Sequence, residues 1–363
     1  MSNNNTMTNY IQLRGDLSFF FHPFQEVDSM VLTQLSYLDF ADYVPGADTV
    51  SHLSHIPYDQ MPTLSLIAIQ FEHNHPDRDE ELEKTYQFLK LVGESKRYGS
   101  IRVGYYVNDV DFAKEKQFSA VTFFFHPFHA FVAFRGTDQH MVSWKENFGL
   151  TYAATIGAEE DAATYLQFIG KHFPLLLKVG GHSKGGALAL YACRMVSNRL
   201  FHKITDVFLF DAPGTLEDPT LDPKVTRYAS KIHAYVPEGS IVGQMMIPYT
   251  PQTVVKSNGH RIYQHSMATW LVASNSFDYA PDRNDFSYQM SEQINQWIYG
   301  LPLENRKDNV NQFFDLLDSN GIKTFYEATH MDIKKLLGLL VKTTKMSKEN
   351  RDLLGLIIKN LFF

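Results

Sequence analysis

The chain has a single cysteine, Cys193, so no internal disulfide can staple it, which suits a reducing compartment. It has no excess of positive charge: 33 Lys and Arg stand against 40 Asp and Glu, a formal net charge of -7. That balance gives no electrostatic footprint for nucleic acid, whose binding proteins gather Lys and Arg on one face. Long apolar runs are missing as well. The nearest approach to a membrane span, Phe118 to Phe134, is cut by His126, Pro127 and His129. The start, Met1 to Thr8, is polar and Asn-rich, without a basic segment leading into an apolar stretch, so the expectation is a cytoplasmic protein with no export signal and no integral membrane segment. Aromatic residues, by contrast, are plentiful, led by 28 Phe and 19 Tyr, enough to fill a large core and to line an apolar pocket besides.

Periodicity divides the chain into three. Residues 1–10 read as a disordered tail, 11–285 as one α/β domain and 286–363 as a helical appendage. Met30 to Phe40 and Glu80 to Val92 have apolar residues at helical spacing. Phe118 to Phe125 and Ala130 to Arg135 read as a hairpin. Strand and helix then alternate: Glu159 to Phe173 as helix, Leu175 to Val179 as strand, Gly186 to Val196 as helix, then strands at Val207 to Phe210 and Lys231 to Val236. Such alternation is the mark of a mostly parallel sheet flanked by helices. Past Asp285 helical stretches follow, including Val310 to Leu317 and Ile333 to Val341. The polar segment Thr250 to His260 is a candidate mobile cover, with an ordinary loop the plainer alternative. Phe71 to Asp79 (FEHNHPDRD) is rich in His, but a proline and opposite charges interrupt it, so a solvated loop and no metal site is expected.

The chemistry concentrates in Gly181-His182-Ser183-Lys184-Gly185. A serine hydroxyl is a poor nucleophile unless it is held exposed, beside a base and near donors for the negative charge that forms on attack. A sharp strand-to-helix turn does this, and the two glycines supply the missing side chains that such a turn needs. The bare G-x-S-x-G pattern is weak. An apolar strand-like run before it and an alanine-rich helix after it give the context the motif requires. The amide of Lys184, directly after the serine, is the expected first oxyanion donor. Thr137, in Phe134-Arg135-Gly136-Thr137-Asp138 at the end of an earlier strand, is the expected second, with Arg135 as a structural ion-pair residue. In folds of this kind the order is Ser, acid, His, which leaves His260, His265 and His330 as candidate bases; His265 is preferred, because His260 sits in an Asn-Gly turn and His330 in the helical tail. Asp211 follows a strand at the carboxyl edge of the sheet and is the preferred acid, with Glu238 the alternative.

With these blocks in view the chain resembles a lipase-like bacterial family of unknown function that carries a GHSKGG elbow and is distantly related to class-three lipases. RGDLSF, EVDSMVLTQLSYLDF, AFRGTD with WKENF, GGHSKGGALALYA, FDAPG, VPEGSIVG and QH with a Trp five residues later carry the resemblance, in order along most of the chain. It implies an α/β-hydrolase fold with Ser183 and His265 in catalytic positions and Thr137 at the oxyanion. It also brings a departure. Class-three lipases take their acid after the strand that here leads into PEGSIVG, which has no Asp. The expected activity is cofactor-free hydrolysis of lipid or other acyl esters through an acyl-enzyme on Ser183. The alternatives are acyl transfer to another acceptor and an idle hydrolase fold that binds a lipid or a protein partner.

Overall fold

The computed structural model of the chain describes residues 4–324 apart from 127, 139, 140 and 174, and beyond them residues 327, 348, 351 and 355. His330 and the helical stretch expected over Ile333 to Val341 lie outside the described residues. Helices α1 (Met7–Arg14) and α2 (Glu26–Leu35) come first, then the short strand β1 (Gly46–Ala47) and the helices α3 (Leu64–Asn74) and α4 (Glu80–Glu94). Asp79 caps α4 by accepting from the Leu82 amide, and Glu80, Glu81 and Glu83 fill its positive first turn. The sheet continues with β2 (Arg102–Asp111), β3 (Lys116–His126) and β4 (His129–Phe134). Alternation follows through α5 (Met141–Gly149), α6 (Gly157–His172), β5 (Leu176–His182), α7 (Lys184–Met195), α8 (Asn198–Phe201), β6 (Ile204–Phe210), α9 (Pro223–Tyr228), β7 (Ile232–Pro237) and β8 (Thr253–Val255). A small hairpin of β9 (Val272–Ala273) and β10 (Ser276–Phe277) precedes α10 (Asp285–Gly300) and α11 (Leu303–Asp318).

The eight strands lie side by side in chain order, with β2, β3 and β4 antiparallel and the remaining neighbours parallel. This is an α/β-hydrolase-like sheet. The order has a consequence for the layers. Right-handed crossovers that keep stepping in one direction put their helices on one face of the sheet, and α6 and α7 do pack there, against Phe118, Val132, Val179 and Leu209. The other face would be bare without help from elsewhere. It is covered by α1 to α4, whose Tyr10, Met30, Ile67 and Leu89 pack against Val121, Phe131, Ala133 and Phe208. Alternate residues of one strand thus belong to two cores, as the period of two demands. Helices α10 and α11 form a third apolar cluster with Trp144 and Phe148 of α5, and Arg306 donates to the Thr151 carbonyl at 2.9 Å.

Four expectations change, the first at Phe71 to Asp79, whose residues as far as Asn74 belong to α3 and whose Phe71 is buried in place of a solvated loop. In the tail expected over residues 1–10, the described residues include the start of α1, which buries Met7 and Tyr10, and Asn5, whose carbonyl accepts from the Val272 amide at 2.8 Å. The helix expected over Met30 to Phe40 runs from Glu26 to Leu35: the Gln25 amide bonds Asp28 at 2.7 Å and starts it early, while Leu38 and Phe40 are buried without being helical. The candidate cover Thr250 to His260 contains β8, hydrogen-bonded beside β7, so its centre is part of the sheet. Strand β2 carried no clean alternation because its pairing with β3 slips between Gly104 and Val107, where Tyr105 has a φ of 60°.

Candidate active site

Ser183 and Asp211 stand one residue past the ends of the neighbouring strands β5 and β6, whose last residues, His182 and Phe210, pair in register. Each continues the ladder: the Ser183 amide bonds the Phe210 carbonyl at 2.9 Å and the Asp211 amide the Tyr235 carbonyl at 2.8 Å. The sheet therefore places the two side by side at its carboxyl edge. Ser183 occupies the N-cap of α7 with φ 57° and ψ -133°, a conformation that costs a non-glycine residue on the order of 1–3 kcal/mol. A serine at an N-cap ordinarily spends its hydroxyl on the helix. This one does not, and among the described residues Ser183 Oγ takes part in no hydrogen bond.

The turn is tight enough to explain its glycines. A Cβ at Gly185 would stand 2.2 Å from the Phe134 carbonyl oxygen, and one at Gly136 would stand 2.6 Å from the His182 carbonyl and 3.2 Å from Ser183 Cβ. The AFRG strand end and the elbow are thus pressed together, which brings Thr137 alongside. Thr137 Oγ1 is buried and has no hydrogen-bond partner among the described residues. The Lys184 amide is the first of α7, where no intrahelical acceptor exists for it. Arg135 donates to Asn108 Oδ1 at 2.8 Å, a neutral amide in place of the carboxylate expected for an ion pair.

His265 Nδ1 lies 2.6 Å from Asp211 Oδ2. A carboxylate can only accept, so Nδ1 carries the hydrogen and Nε2 keeps its lone pair. Asp211 is fully buried, and its other oxygen accepts from Ser240 Oγ and from the Gly243 amide, the latter at 3.1 Å. A Cβ at Gly243 would meet Asp211 Oδ1 at 2.4 Å, so only glycine lets that amide approach. The segment from Pro237 to Gly243, which lacks an acid of its own in the expected place, thus cradles the acid of the preceding strand. Glu238 is not brought to His265. Its backbone is held by Val255 and Asn284, and its carboxylate takes part in no hydrogen bond among the described residues. His260 is exposed and also stays apart.

The loop that carries His265 is fixed through consecutive carbonyls. The buried Trp270 indole donates to the Gln264 carbonyl at 2.8 Å, and His182 Nε2 to the His265 carbonyl at 2.8 Å. The second bond fixes the His182 tautomer, so its Nδ1 accepts from the Tyr37 hydroxyl at 2.7 Å. The rings of His182 and His265 lie 4.4 Å apart. Burial, and next the neighbouring His265, push the His182 imidazole well below its ordinary range. It is therefore a neutral spacer, and no second cation competes with a charge on His265.

Under the elbow, Lys184 Nζ is fully buried and bonds Glu146 Oε2 and the Gln117 carbonyl, both at 2.7 Å. Glu146 also accepts from the Gln117 and Ala158 amides at 2.9 and 3.2 Å. Burial pulls the Lys184 ammonium down from its usual range while Glu146 pulls it back up. Sequence reasoning used only the amide of Lys184. The charge in WKENF and the charge in HSKGG, opposite and both in apolar surroundings, were the available sign of this pair. Tyr37, Ser240 and Gly243 had no such sign. Cys193 is buried in α7, where burial pushes its thiol up and away from reactivity.

Among the described residues, cavities flank the sheet on both faces. One of about 470 Å³ lies by α6 and α7, bounded by Glu159, Arg194, Leu216 and Tyr249. The other, about 700 Å³, lies by α1 to α4 and is bounded by Tyr37 and Thr137. The second reaches the candidate site at Thr137 and at Tyr37.

A family model described as Mbeg1-like matches residues 92–315, more than half of the chain. The chain belongs to the Mbeg1-like family. The match runs from the end of α4 into α11, so Ser183, Asp211, His265, Thr137 and Lys184 of this Mbeg1-like chain all lie within it. No protein of curated function matches the sequence. Among solved structures the chain is similar to M37 lipase, at 17% identity and a TM-score of 0.34 over 50% of this chain and 68% of that one. It is also similar to Lip2 lipase from Yarrowia lipolytica, at 14% identity and a TM-score of 0.30 over 47% and 69%. Likeness at that level carries no argument about the site, which rests on its own geometry.

Proposed function

We propose that this Mbeg1-like chain is a serine hydrolase that cleaves carboxylic esters, with Ser183 as nucleophile, His265 as base and Asp211 as the acid that orients it. The observation that supports this most is the 2.6 Å bond from His265 to a fully buried Asp211, one strand away from a strained serine whose hydroxyl is not spent on its helix. In this reading His265 Nε2 takes the Ser183 proton as Oγ attacks the ester carbonyl. The oxyanion is met by the Lys184 amide and by Thr137, whose hydroxyl has no other partner among the described residues. Return of that proton to the departing alkoxide releases the alcohol and leaves an acyl-enzyme. Water, deprotonated by His265, then attacks the acyl carbon, and the acid departs as the proton returns to Ser183. No cofactor or metal enters this scheme. Among the described residues no helix is long and apolar enough to cross a membrane, and cytoplasmic action on lipid or other acyl esters belongs to the same proposal.

A fluorophosphonate probe tests it. The folded protein should take one adduct on Ser183 and the Ser183→Ala variant none. A folded protein without an adduct would instead support an idle hydrolase fold, and an adduct that survives Ser183→Ala would place the nucleophile elsewhere.

A further inference from the structure

The cavity beside Thr137 has a character that narrows the substrate. Its volume of about 700 Å³ falls within the range of sites that enclose a small organic molecule. It meets the candidate site twice: Thr137 follows the glycine packed against Ser183, and Tyr37 bonds the residue before Ser183. From there it runs between α2 and the α3–α4 pair, over Leu38, Phe71, Leu82 and Phe88, which are buried or half-buried. At its border stand three exposed carboxylates, Asp39, Asp42 and Glu81. Among the described residues two cations line it: Lys84, engaged with Glu80, and Arg135, which is buried at the inner end beside Thr137 and Asp138 and bonded to Asn108.

From this arrangement we infer that the cavity is the acyl pocket of the enzyme and that it selects uncharged acyl chains of intermediate length over short ones and over chains that end in a carboxylate. The inference rests on the hydrolase reading above. An apolar wall binds methylene groups through the water-exposed area they lose, and each added methylene that fits strengthens binding about fourfold. Three like charges at the border oppose an anion in proportion to how little salt screens them. The acyl chain would start at the Thr137 oxyanion position and extend along Leu82 and Phe88. Those wall residues come from the helices ahead of residue 92, whereas the groups proposed for the chemistry lie within the family-matched stretch. One part of the chain thus supplies the reaction and another the selectivity.

The test measures kcat/KM on nitrophenyl acetate, butyrate, octanoate and laurate, and on the nitrophenyl ester of a dicarboxylic half-acid as long as octanoate. The parent chain is compared with Leu82→Trp, which fills the cavity, Phe88→Ala, which enlarges it, and the triple change Asp39→Asn, Asp42→Asn, Glu81→Gln. The expected results are an octanoate-to-acetate ratio well above one in the parent, a fall of about tenfold or more in that ratio for Leu82→Trp, and a shift toward laurate for Phe88→Ala. The triple change should raise the rate on the half-acid ester relative to octanoate severalfold at low salt, with the gain shrinking as salt is added. Uptake of a small fluorophosphonate by Ser183 in each preparation reports whether the reactive site is intact. A labelled protein whose chain-length ratio ignores both Leu82→Trp and Phe88→Ala would overturn the pocket and leave the hydrolase reading standing. A parent that takes no label would overturn both.

Discussion

Two buried ion pairs, one on each side of the sheet, do different work. Lys184 and Glu146 join α7 to α5 under the elbow, and their bonded neighbours are backbone groups of the sheet edge and of α6. Asp28 and Arg97 join α2 to the segment after α4, with Tyr10 and Tyr98 donating to the carboxylate and Arg97 donating to the carbonyls of Leu17, His22 and Pro23. Both are saturated with partners, as buried charges must be. The first sits one residue from Ser183 and ties the reactive turn to the crossover face. The second holds together the helical layer that lies on the other face and supplies Tyr37 and the cavity wall. On the proposed mechanism, position relative to the elbow, more than burial, decides which pair matters to chemistry.

Breaking one partner at a time sharpens that contrast. Glu146→Ala leaves an uncompensated buried ammonium beside Ser183, and a loss of about 3–5 kcal/mol in denaturant unfolding is expected. Arg97→Ala should cost a similar amount by the same measurement. The two should part in the folded fraction: fluorophosphonate uptake by Ser183 collapses in Glu146→Ala and persists in Arg97→Ala. Equal uptake in both would mean the elbow does not depend on the pair beneath it.

A smaller effect tests the link between the layers. Tyr37→Phe removes the donor to His182 Nδ1, leaves a buried ring nitrogen without a partner and should cost about 1–2 kcal/mol of stability. Because His182 holds the His265 carbonyl, kcat should fall more than KM changes. Unchanged kcat would reduce the His182 relay to packing.

A further effect, confined to a window of pH, concerns another buried acid on the crossover face. Glu159 accepts from the Ile156 amide, while the nearby Arg194 is engaged with Asp222, and burial pushes its carboxyl up to about 7. The folded state then holds a proton that the unfolded chain has already released, so stability should decline as pH rises from the ordinary carboxylate range to about 7. Glu159→Gln should flatten that decline by up to about 3 kcal/mol across the window. A slope identical in the variant would assign the pH dependence to other groups.

The crossover face was legible in the sequence because its helices follow from strand-helix alternation, and the glycine-tight turn at Ser183 announced itself by residue type. His265 and Asp211 followed from chain order and strand ends, and they meet. The cradle around Asp211 was not legible, since Ser240 and Gly243 reach it across a neighbouring strand, and nothing local distinguishes them from turn residues. Tyr37 was hidden for the same reason: it lies far from the elbow in sequence and is brought there only by how α2 packs on the sheet. Strand β2 escaped because a bulge breaks its period, and β8 because three residues are too few to stand out.

The central claim is an acyl-enzyme on Ser183 formed and resolved by His265 under the hold of Asp211. Acid-quenching the protein during turnover of nitrophenyl butyrate, followed by mass analysis of its peptides, tests it most directly. The account predicts a butyryl group on the peptide that contains Ser183, absent in Ser183→Ala and formed roughly 10³–10⁴-fold more slowly in Asp211→Asn. An acyl group on another residue, or one that forms at the parental rate in Asp211→Asn, would contradict it.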